Sequence, residues 1–215
     1  MYKKKSLFVT FEGIEGSGKS YLSYRLFNQL KKKKFNVIHT REPGGTFGAE
    51  RIRKIILDDY FKLNKRIHFD KYTDTLLYLA SRNEHVIDKI KPALLKRKII
   101  ICDRFIDSTL AYQVYGKGVN KNLVDCVHRF ILRDLKPDLT FVLKVNISKA
   151  IKRLNKRKKK NRYDKFSKSF YIKAQNAFLK ISRKNKKRYI VLDNSNDNNK
   201  IDKIIFEKFI RMYKK

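Results

Sequence analysis

The sequence is short of acidic residues, cysteines and long apolar runs. Only 20 Asp and Glu oppose 54 Lys and Arg in 215 residues, which gives a net charge of +34 at pH 7. The two cysteines, Cys102 and Cys126, lack metal or disulfide spacing, so we expect small buried residues in a reducing compartment. No run approaches the ~18 apolar residues of a membrane-spanning helix, and the short apolar run after MYKKK predicts a first strand rather than a signal peptide. These shortages favour a cytoplasmic protein without a membrane segment.

The excess of positive charge favours polyanionic ligands and allows nucleic-acid binding. The lysines are also spread along the whole chain, as a compositionally biased genome would produce. They are densest between residues 149 and 188, where eighteen Lys and Arg accompany one acid, Asp164. This segment is either a lid that neutralises phosphate charge or a solvated or nucleic-acid-binding face, and at this point both alternatives stay open.

Proline and glycine are scarce too, with three and eight residues. Glycine is tolerated where the backbone approaches a ligand or adopts a positive φ angle. The glycines fall into three groups, at 13–18, 44–48 and 116–118. This confinement predicts three loops around one site.

The first glycine group belongs to the pattern G-x-x-x-x-G-K-S at 13–20. It follows the apolar run 7–11 and precedes an amphipathic stretch, which is the strand–loop–helix context of a phosphate loop. Converging backbone N–H groups and the helix N-terminus would form an anion cradle. The pattern predicts a nucleoside triphosphate whose β- and γ-phosphates contact Lys19 and whose Mg²⁺ contacts Ser20.

Strand-like and helix-like patterns alternate along the chain. The predicted strands are 7–12, 36–40, 98–102, 139–143 and 188–192. The predicted helices are 21–33, 49–57, 73–95 with a turn at Lys91-Pro92, 108–115, 123–135, 148–155, 170–182 and 201–213. This order predicts an α/β fold, a P-loop NTPase-type doubly wound five-stranded parallel sheet flanked by helices. We expect one domain over 1–215, with a lid at about 153–168 and ligands at the carboxyl ends of the strands.

Asp103 and Arg104 follow the third predicted strand. A carboxylate there suits Mg²⁺, and the planar guanidinium suits a second phosphate, although a strand-end salt bridge is the alternative. The letters Asn199-Lys200-Ile201-Asp202 match a guanine-binding N-K-x-D motif, but no D-x-x-G accompanies them, so we interpret them as coincidence. The four histidines lack metal-ligand spacing.

Seven segments together resemble the thymidylate (dTMP) kinase family. They are FEGIEGSGKS at 11–20, TREPGGT at 40–46, LLYLASRNEHV at 76–86, IKPAL at 90–94, CDRFIDSTLAYQ at 102–113, LKPDLTFVL at 135–143 and NRYDKFSKSFYIKAQNAFL at 161–179. The combination of TREPGGT with DRFxDSTxAYQ is highly specific, and the match covers nearly the whole chain.

The resemblance implies transfer of the γ-phosphoryl group of ATP to dTMP, giving ADP and dTDP, with Mg²⁺ as cofactor. It implies an ATP site of Gly13, Glu15, Gly16, Ser17, Gly18, Lys19, Ser20 and Arg153. It implies a dTMP site of Glu15, Arg41, Pro43, Arg53, Tyr78, Arg82, Arg104, Ser108, Thr109 and Tyr112. It assigns catalysis to Lys19, Arg104 and Arg162 and the metal to Ser20 and Asp103.

The resemblance also implies individual roles. Pro43 and Tyr78 flank the thymine, with Tyr78 where the family usually has Phe, while Arg82 and Thr109 bond the base edge. Tyr112 occupies the space that a 2′-hydroxyl would need. The other acceptor roles are Glu15 near the deoxyribose 3′-hydroxyl and Arg104 on the dTMP phosphate, assisted by Arg53 or Arg41.

One kind of thymidylate kinase places a catalytic Arg in the phosphate loop, and the other supplies it from the lid. Gly16 stands at that loop position here, so the resemblance implies a lid arginine, with Arg162 at the matching position and Arg153 against adenine. Three departures from the family pattern are Asn161 for Asp, Lys117 for Arg and Val114 for Gly.

Two alternatives remain beside a dTMP kinase. One is a kinase for another nucleoside monophosphate or for both dTMP and dUMP, which Arg82 and Thr109 would decide. The other is an RNA-binding NTPase, which the charge allows but which leaves the acceptor residues unexplained. The resemblance implies a homodimer through the helices around 75–95 and 121–134.

Overall fold

One parallel sheet forms the centre of the molecule. The computed structural model describes residues 6–57, 69–158, 162–196 and 200–214. The strands are Leu7–Glu12 (β1), Val37–Arg41 (β2), Ile99–Asp103 (β3), Leu139–Lys144 (β4) and Tyr189–Asp193 (β5). They pair in parallel in the order β2-β3-β1-β4-β5. The predicted five-stranded parallel sheet is confirmed, with each strand within one residue of its predicted bounds.

Helices cover both faces of this sheet. They are Lys19–Lys32 (α1), Phe47–Leu57 (α2), Lys71–His85 (α3), Lys91–Leu95 (α4), Ile106–Thr109 (α5), Lys121–Leu132 (α6), Ile147–Asn155 (α7), Lys168–Arg183 (α8) and Lys200–Lys214 (α9). Two π-helical segments, Val86–Ile90 and Leu110–Gly116, and the 3₁₀ turn Arg162–Lys165 complete the helical structure of the described residues. Within this part of the chain, no helix combines the length and apolarity needed to cross a membrane.

The central strand β1 is buried on both faces. Leu7, Val9 and Phe11 pack in the cluster formed with α1 and α9, whereas Phe8 packs on the opposite face against Phe105, with ring centroids 4.9 Å apart. Burial on both faces explains why the strand is largely apolar and does not alternate regularly between apolar and polar residues.

Two helical predictions were wrong in detail. The structure has no turn at Lys91-Pro92: α3 continues through the π-helical segment Val86–Ile90 directly into α4. Pro92 is the second residue of α4, directly after the π-helical segment, and contributes no N–H to this continuous helix. The helix predicted over 108–115 is the short α5 followed by a second π-helix. Sequence periodicity does not register a widened helical turn, because it changes the period over only a few residues.

The cysteines only partly match their prediction. Cys102 is buried in β3, whereas Cys126 is exposed. The buried residues of α6 are Val124, Ile131 and Leu132, so Cys126 lies on the opposite, solvent-facing side of that helix. The expectation that both cysteines are buried was therefore wrong for Cys126.

Candidate active site

The phosphate loop connects β1 to α1. Gly18 adopts φ 87° and serves as the N-cap of α1, a left-handed conformation that favours glycine. At Gly16, which has φ 74°, a Cβ atom would lie 2.5 Å from the carbonyl oxygen of Ala150 in α7. The loop backbone therefore packs against α7 with no room for a side chain, so an arginine could not occupy this position.

Lys19 lies beneath this loop. Its side chain is buried, and its Nζ donates to the carbonyl oxygen of Ile14 at 3.3 Å. Burial lowers the pKa of Lys19 to about 8, with Arg104 acting in the same direction and Glu15 and Asp103 opposing. A bound polyphosphate would place negative charge beside this ammonium and so favour its protonated form.

A hydroxyl and a carboxylate meet beside the loop. Ser20 Oγ donates to Asp103 Oδ2, which joins the start of α1 to the end of β3. The other carboxylate oxygen, Asp103 Oδ1, is buried and has no hydrogen-bond partner among the described residues. A buried carboxylate oxygen with a neighbouring hydroxyl is the oxygen donor set that Mg²⁺ prefers, so these residues fit the predicted ion.

Arg104 follows β3 in the left-handed region, at φ 73°, and its guanidinium faces the phosphate loop. It donates to Gly13 O at 3.0 Å, to Ser108 Oγ at 2.9 Å and to Glu15 Oε1 at 2.6 Å. Glu15 also accepts from the hydroxyl of Tyr112. The ion pair between Arg104 and Glu15 therefore joins the end of β3 to the phosphate loop.

Glu12 is the last residue of β1 and lies in the interior, behind Ser108. It is fully buried and accepts from Phe105 N at 2.8 Å and Ser108 Oγ at 2.6 Å. Burial, reinforced by the nearby Asp107, raises the pKa of Glu12 to about 8. The folded protein therefore holds the proton of this carboxyl group more tightly than the unfolded chain does.

Glu12→Gln is expected to stabilise the folded protein relative to wild type, and by a larger amount as pH rises. The unfolded glutamate releases its proton near pH 4.5, but the folded one holds it to about pH 8, so wild-type stability falls between these values. Glutamine does not titrate, so the Tm of Glu12→Gln minus that of wild type should grow from pH 5 to 8. Thermal melts across this range measure the difference, with the exposed Glu207→Gln as the control. A constant difference would mean that Glu12 is already ionised in the fold.

Arg82 of α3 is buried and extensively hydrogen-bonded. It donates to Glu42 Oε2 at 2.8 Å, Thr109 Oγ1 at 2.8 Å, His128 Nε2 at 2.6 Å and the carbonyl oxygen of Phe105 at 3.0 Å. Burial and the positive charge of Arg82 lower the pKa of His128 to about 3, so this ring is a neutral acceptor. Although burial raises the pKa of Glu42, the neighbouring Arg82 and His85 outweigh it and keep this carboxylate ionised. The guanidinium is thus fixed in one orientation.

A cavity lies between the phosphate loop and Arg82, and aromatic rings form one of its walls. Tyr163, in the 3₁₀ turn, contacts Tyr78 edge-on at 6.0 Å between centroids and Tyr112 at 5.8 Å. All three rings line the cavity. Edge-to-face packing of this kind orders the rings and leaves flat apolar surface for a base or sugar.

Most of the predicted site residues line this one cavity. Those that do are Glu15, Lys19, Ser20, Arg41, Pro43, Arg53, Tyr78, Arg82, Asp103, Arg104, Ser108, Thr109 and Tyr112. They come from the phosphate loop, from the ends of β2 and β3, from α1, α2, α3 and α5 and from the second π-helix, so residues up to 97 positions apart share one site. Arg53 donates to Pro43 O at 2.6 Å, and Arg41 pairs with Glu50 at 3.1 Å.

The remaining predicted residues lie beside the cavity. Gly13, Gly16, Ser17 and Gly18 supply loop backbone. Arg153 donates to Gly16 O and to Asn194 O, both at 2.9 Å, which ties α7 to the phosphate loop. Arg162 bonds Asp74 and is not among the side chains that line the cavity. No glycine of the three groups is among the residues that line the cavity: the first two groups adjoin it at Glu15 and Pro43, and the third, 116–118, adjoins its wall residue Tyr163 through Lys117. The expectation of three glycine loops around one site stays a prediction.

Six residues that line the cavity were missed by the sequence analysis: Leu57, Phe105 and Tyr163, which supply apolar and aromatic surface, and the polar Glu42, Gln113 and Arg157. Glu42 orients Arg82, and Gln113 has a buried Nε2 without a partner among the described residues. Arg157 lies in the cavity wall and donates to Asp164 at 2.9 Å. Gln113 stands in the quoted motif and could have been found there, whereas Arg157 is one cation in a basic run and carries no distinguishing signal.

The discounted histidines and the N-K-x-D letters do not line the cavity, as far as the structure describes them. His39, His85 and His128 each hydrogen-bond inside the protein, and in the described part of the chain no three potential ligands group as a metal site. His68 and Asn199 lie outside the described residues, as do Asn161 and part of the predicted lid. Asp202 of the N-K-x-D letters pairs with Arg25 at 2.7 Å, away from the cavity.

The comparisons with known proteins agree with this arrangement. The thymidylate kinase family model matches residues 11–205. A thymidylate kinase of Mycoplasma capricolum is 42% identical over 208 residues, covering 94% of this chain and 95% of that protein. The crystal structure of a thymidylate kinase from Ehrlichia chaffeensis superposes with a TM-score of 0.73 at 34% identity, covering 96% of this chain and 99% of that one. The chain belongs to the thymidylate kinase family.

Proposed function

We propose that this chain transfers the γ-phosphoryl group of ATP to dTMP, giving ADP and dTDP. The family supports this reaction. The observation that carries it is one cavity in which a phosphate loop with its lysine faces a buried Arg–Glu–Thr base pocket across Arg104. Donor and acceptor groups thus open into the same space, as an in-line phosphoryl transfer requires.

On the donor side, loop amides and Lys19 bind the β- and γ-phosphates. Ser20 and Asp103 would hold Mg²⁺, which neutralises charge on the phosphate oxygens when bound. Arg157 is the lid arginine in the cavity wall, so we propose it as the group that stabilises the transferring phosphoryl. Its planar fork suits a phosphoryl group better than an ammonium does.

On the acceptor side, Arg104 binds the dTMP phosphate. Arg82 is already fixed by four partners, so it offers its remaining N–H to the base without losing side-chain entropy on binding. The unpartnered amide of Gln113 supplies a second donor to a pyrimidine carbonyl. Both groups favour thymine and uracil, whose carbonyls accept hydrogen bonds, over cytosine at these contacts.

A panel of acceptors tests this function. ATP consumption is measured with dTMP, dUMP, dCMP, dAMP, dGMP and UMP, with and without Mg²⁺. We expect kcat/KM to be highest for dTMP and turnover to require the metal. Higher kcat/KM for a purine nucleotide, or ATP hydrolysis stimulated only by RNA, would replace this proposal with one of the two alternatives.

Discrimination against ribose is expected to weaken in Tyr112→Ala. Tyr112 is 3% exposed, and its ring fills the space between the phosphate loop and the lid, so truncation opens room for a 2′-hydroxyl. The ratio of kcat/KM for dTMP to that for its ribo-analogue measures the effect, because this ratio does not depend on the folded fraction. Tyr112→Phe keeps the ring and should keep the ratio. An unchanged ratio in the alanine variant would place the selection elsewhere.

We also propose a homodimer, which the family implies. Exposed apolar side chains on α3, α4 and α6 support it, since Leu76, Leu95 and Phe130 are 49%, 85% and 85% exposed. Light scattering measures the mass directly. A cytoplasmic location stays a prediction, and nucleic-acid binding, which the charge allows, is not favoured.

A further inference from the structure

Outside the cavity, a cluster of buried ion pairs joins the lid to α3. This helix is called the acceptor helix because it carries Tyr78 and Arg82 of the proposed dTMP site. Its centre is Asp74, in the first turn of α3, whose side chain is 0% exposed. Lys117, just after the second π-helix, donates to Asp74 Oδ2 at 2.7 Å. Arg162, in the 3₁₀ turn, donates to Asp74 Oδ1. Two cations from different segments therefore share one buried carboxylate.

The Arg162 end of this cluster lies beside the cavity. Arg162 stacks over the ring of its neighbour Tyr163, at 5.0 Å, and Lys117 lies 5.8 Å from the same ring. Tyr163 is a cavity wall and contacts Tyr78. The position of this wall therefore depends on the ion pairs behind it.

Asp74 occupies the same helix as the base pocket. Tyr78 follows it by one turn and Arg82 by two, so the three residues share a face of α3. The helix that holds the base is thus also the helix that holds the 3₁₀ turn of the lid. Arg157 precedes this turn by five residues and its guanidinium bonds Asp164 within it, so a displaced turn would displace Arg157 as well.

We infer that Asp74 is a positioning residue for phosphoryl transfer: through Arg162 and Lys117 it fixes the lid turn on the acceptor helix, and so sets the places of Tyr163 and Arg157. This inference rests on the proposed function. It also assigns a role to Lys117, which stands where the family pattern has an arginine: the Lys117 ammonium supplies the positive charge that pairs with Asp74.

The role of Asp74 is read first without catalysis. Hydrogen exchange of lid amides 162–166 is compared in wild type and Asp74→Asn. We expect exchange to be about 10-fold or more faster in the variant, because a neutral amide cannot hold both cations. Asp202→Asn is the control, since Asp202 is also buried and paired with an arginine, but far from the lid. Unchanged lid exchange in Asp74→Asn overturns the inference, whether or not the protein phosphorylates dTMP.

A double-mutant cycle then tests the path to catalysis. Asp74→Asn and Arg162→Gln should each lower kcat about 10- to 100-fold, as small misplacements of catalytic groups do, with less change in the KM for ATP. The double variant should lose no more than Asp74→Asn alone, because removing the carboxylate already removes the contact that Arg162→Gln removes. Additive losses would show that Asp74 acts apart from Arg162, and a higher kcat in Asp74→Asn would show that it restrains the lid. Either result overturns the inference, whereas failure of the proposed function appears separately, as an inactive wild type.

Discussion

Lys19→Ala is expected to lower kcat for phosphoryl transfer by about 10³-fold, the upper range for losing one preorganised group at a developing charge. The Lys19 ammonium is buried under the phosphate loop, where water cannot replace it. Backbone amides alone would leave the charge on the β- and γ-phosphates under-neutralised. Steady-state kinetics with ATP and dTMP measure the loss.

The control for this variant is Lys32→Ala, at the exposed end of α1. It removes the same charge from the same helix but away from the loop, so its kcat should stay within about two-fold of wild type, as expected where solvent screens a surface charge. Near-normal turnover in Lys19→Ala would remove the phosphate loop from the mechanism.

Arg157→Lys is expected to produce the second large effect, a fall in kcat of about 10³-fold or more with little change in the KM for dTMP. Arginine fingers contribute about 10³–10⁵ in rate, and an ammonium cannot reproduce their bidentate geometry. Arg157 is the lid arginine that lines the cavity. Steady-state kinetics at saturating ATP, with dTMP varied, separate the two parameters.

Two matched variants sharpen this test. Arg162→Lys keeps a cation for the carboxylate of Asp74, so we expect most activity to remain. Lys158→Ala removes an exposed neighbouring charge and should be nearly silent. A large loss in Arg162→Lys with a mild one in Arg157→Lys would instead support the catalytic role that the family resemblance implies for Arg162.

The sequence by itself determined the parallel sheet, the phosphate loop and most of the cavity residues. A strand buried on both faces is mostly apolar, so β1 and β3 can be recognised as runs of largely apolar residues. The phosphate loop can likewise be predicted from local sequence, because its glycines tolerate the positive φ angles that the loop requires. Since parallel strands end at a common edge, the residues that follow β1, β2 and β3 had to meet there.

The tertiary structure alone decided how those residues are used. Arg82 and His128 are 46 positions apart, and no local pattern announces that a neutral histidine will orient this guanidinium. Arg157 and Arg162 are equivalent as letters in a basic segment, yet only Arg157 lines the cavity, because the buried Asp74 binds Arg162. A carboxylate withdrawn from water must be paired, and the partners of Asp74 are Lys117 and Arg162, which holds Arg162 outside the cavity.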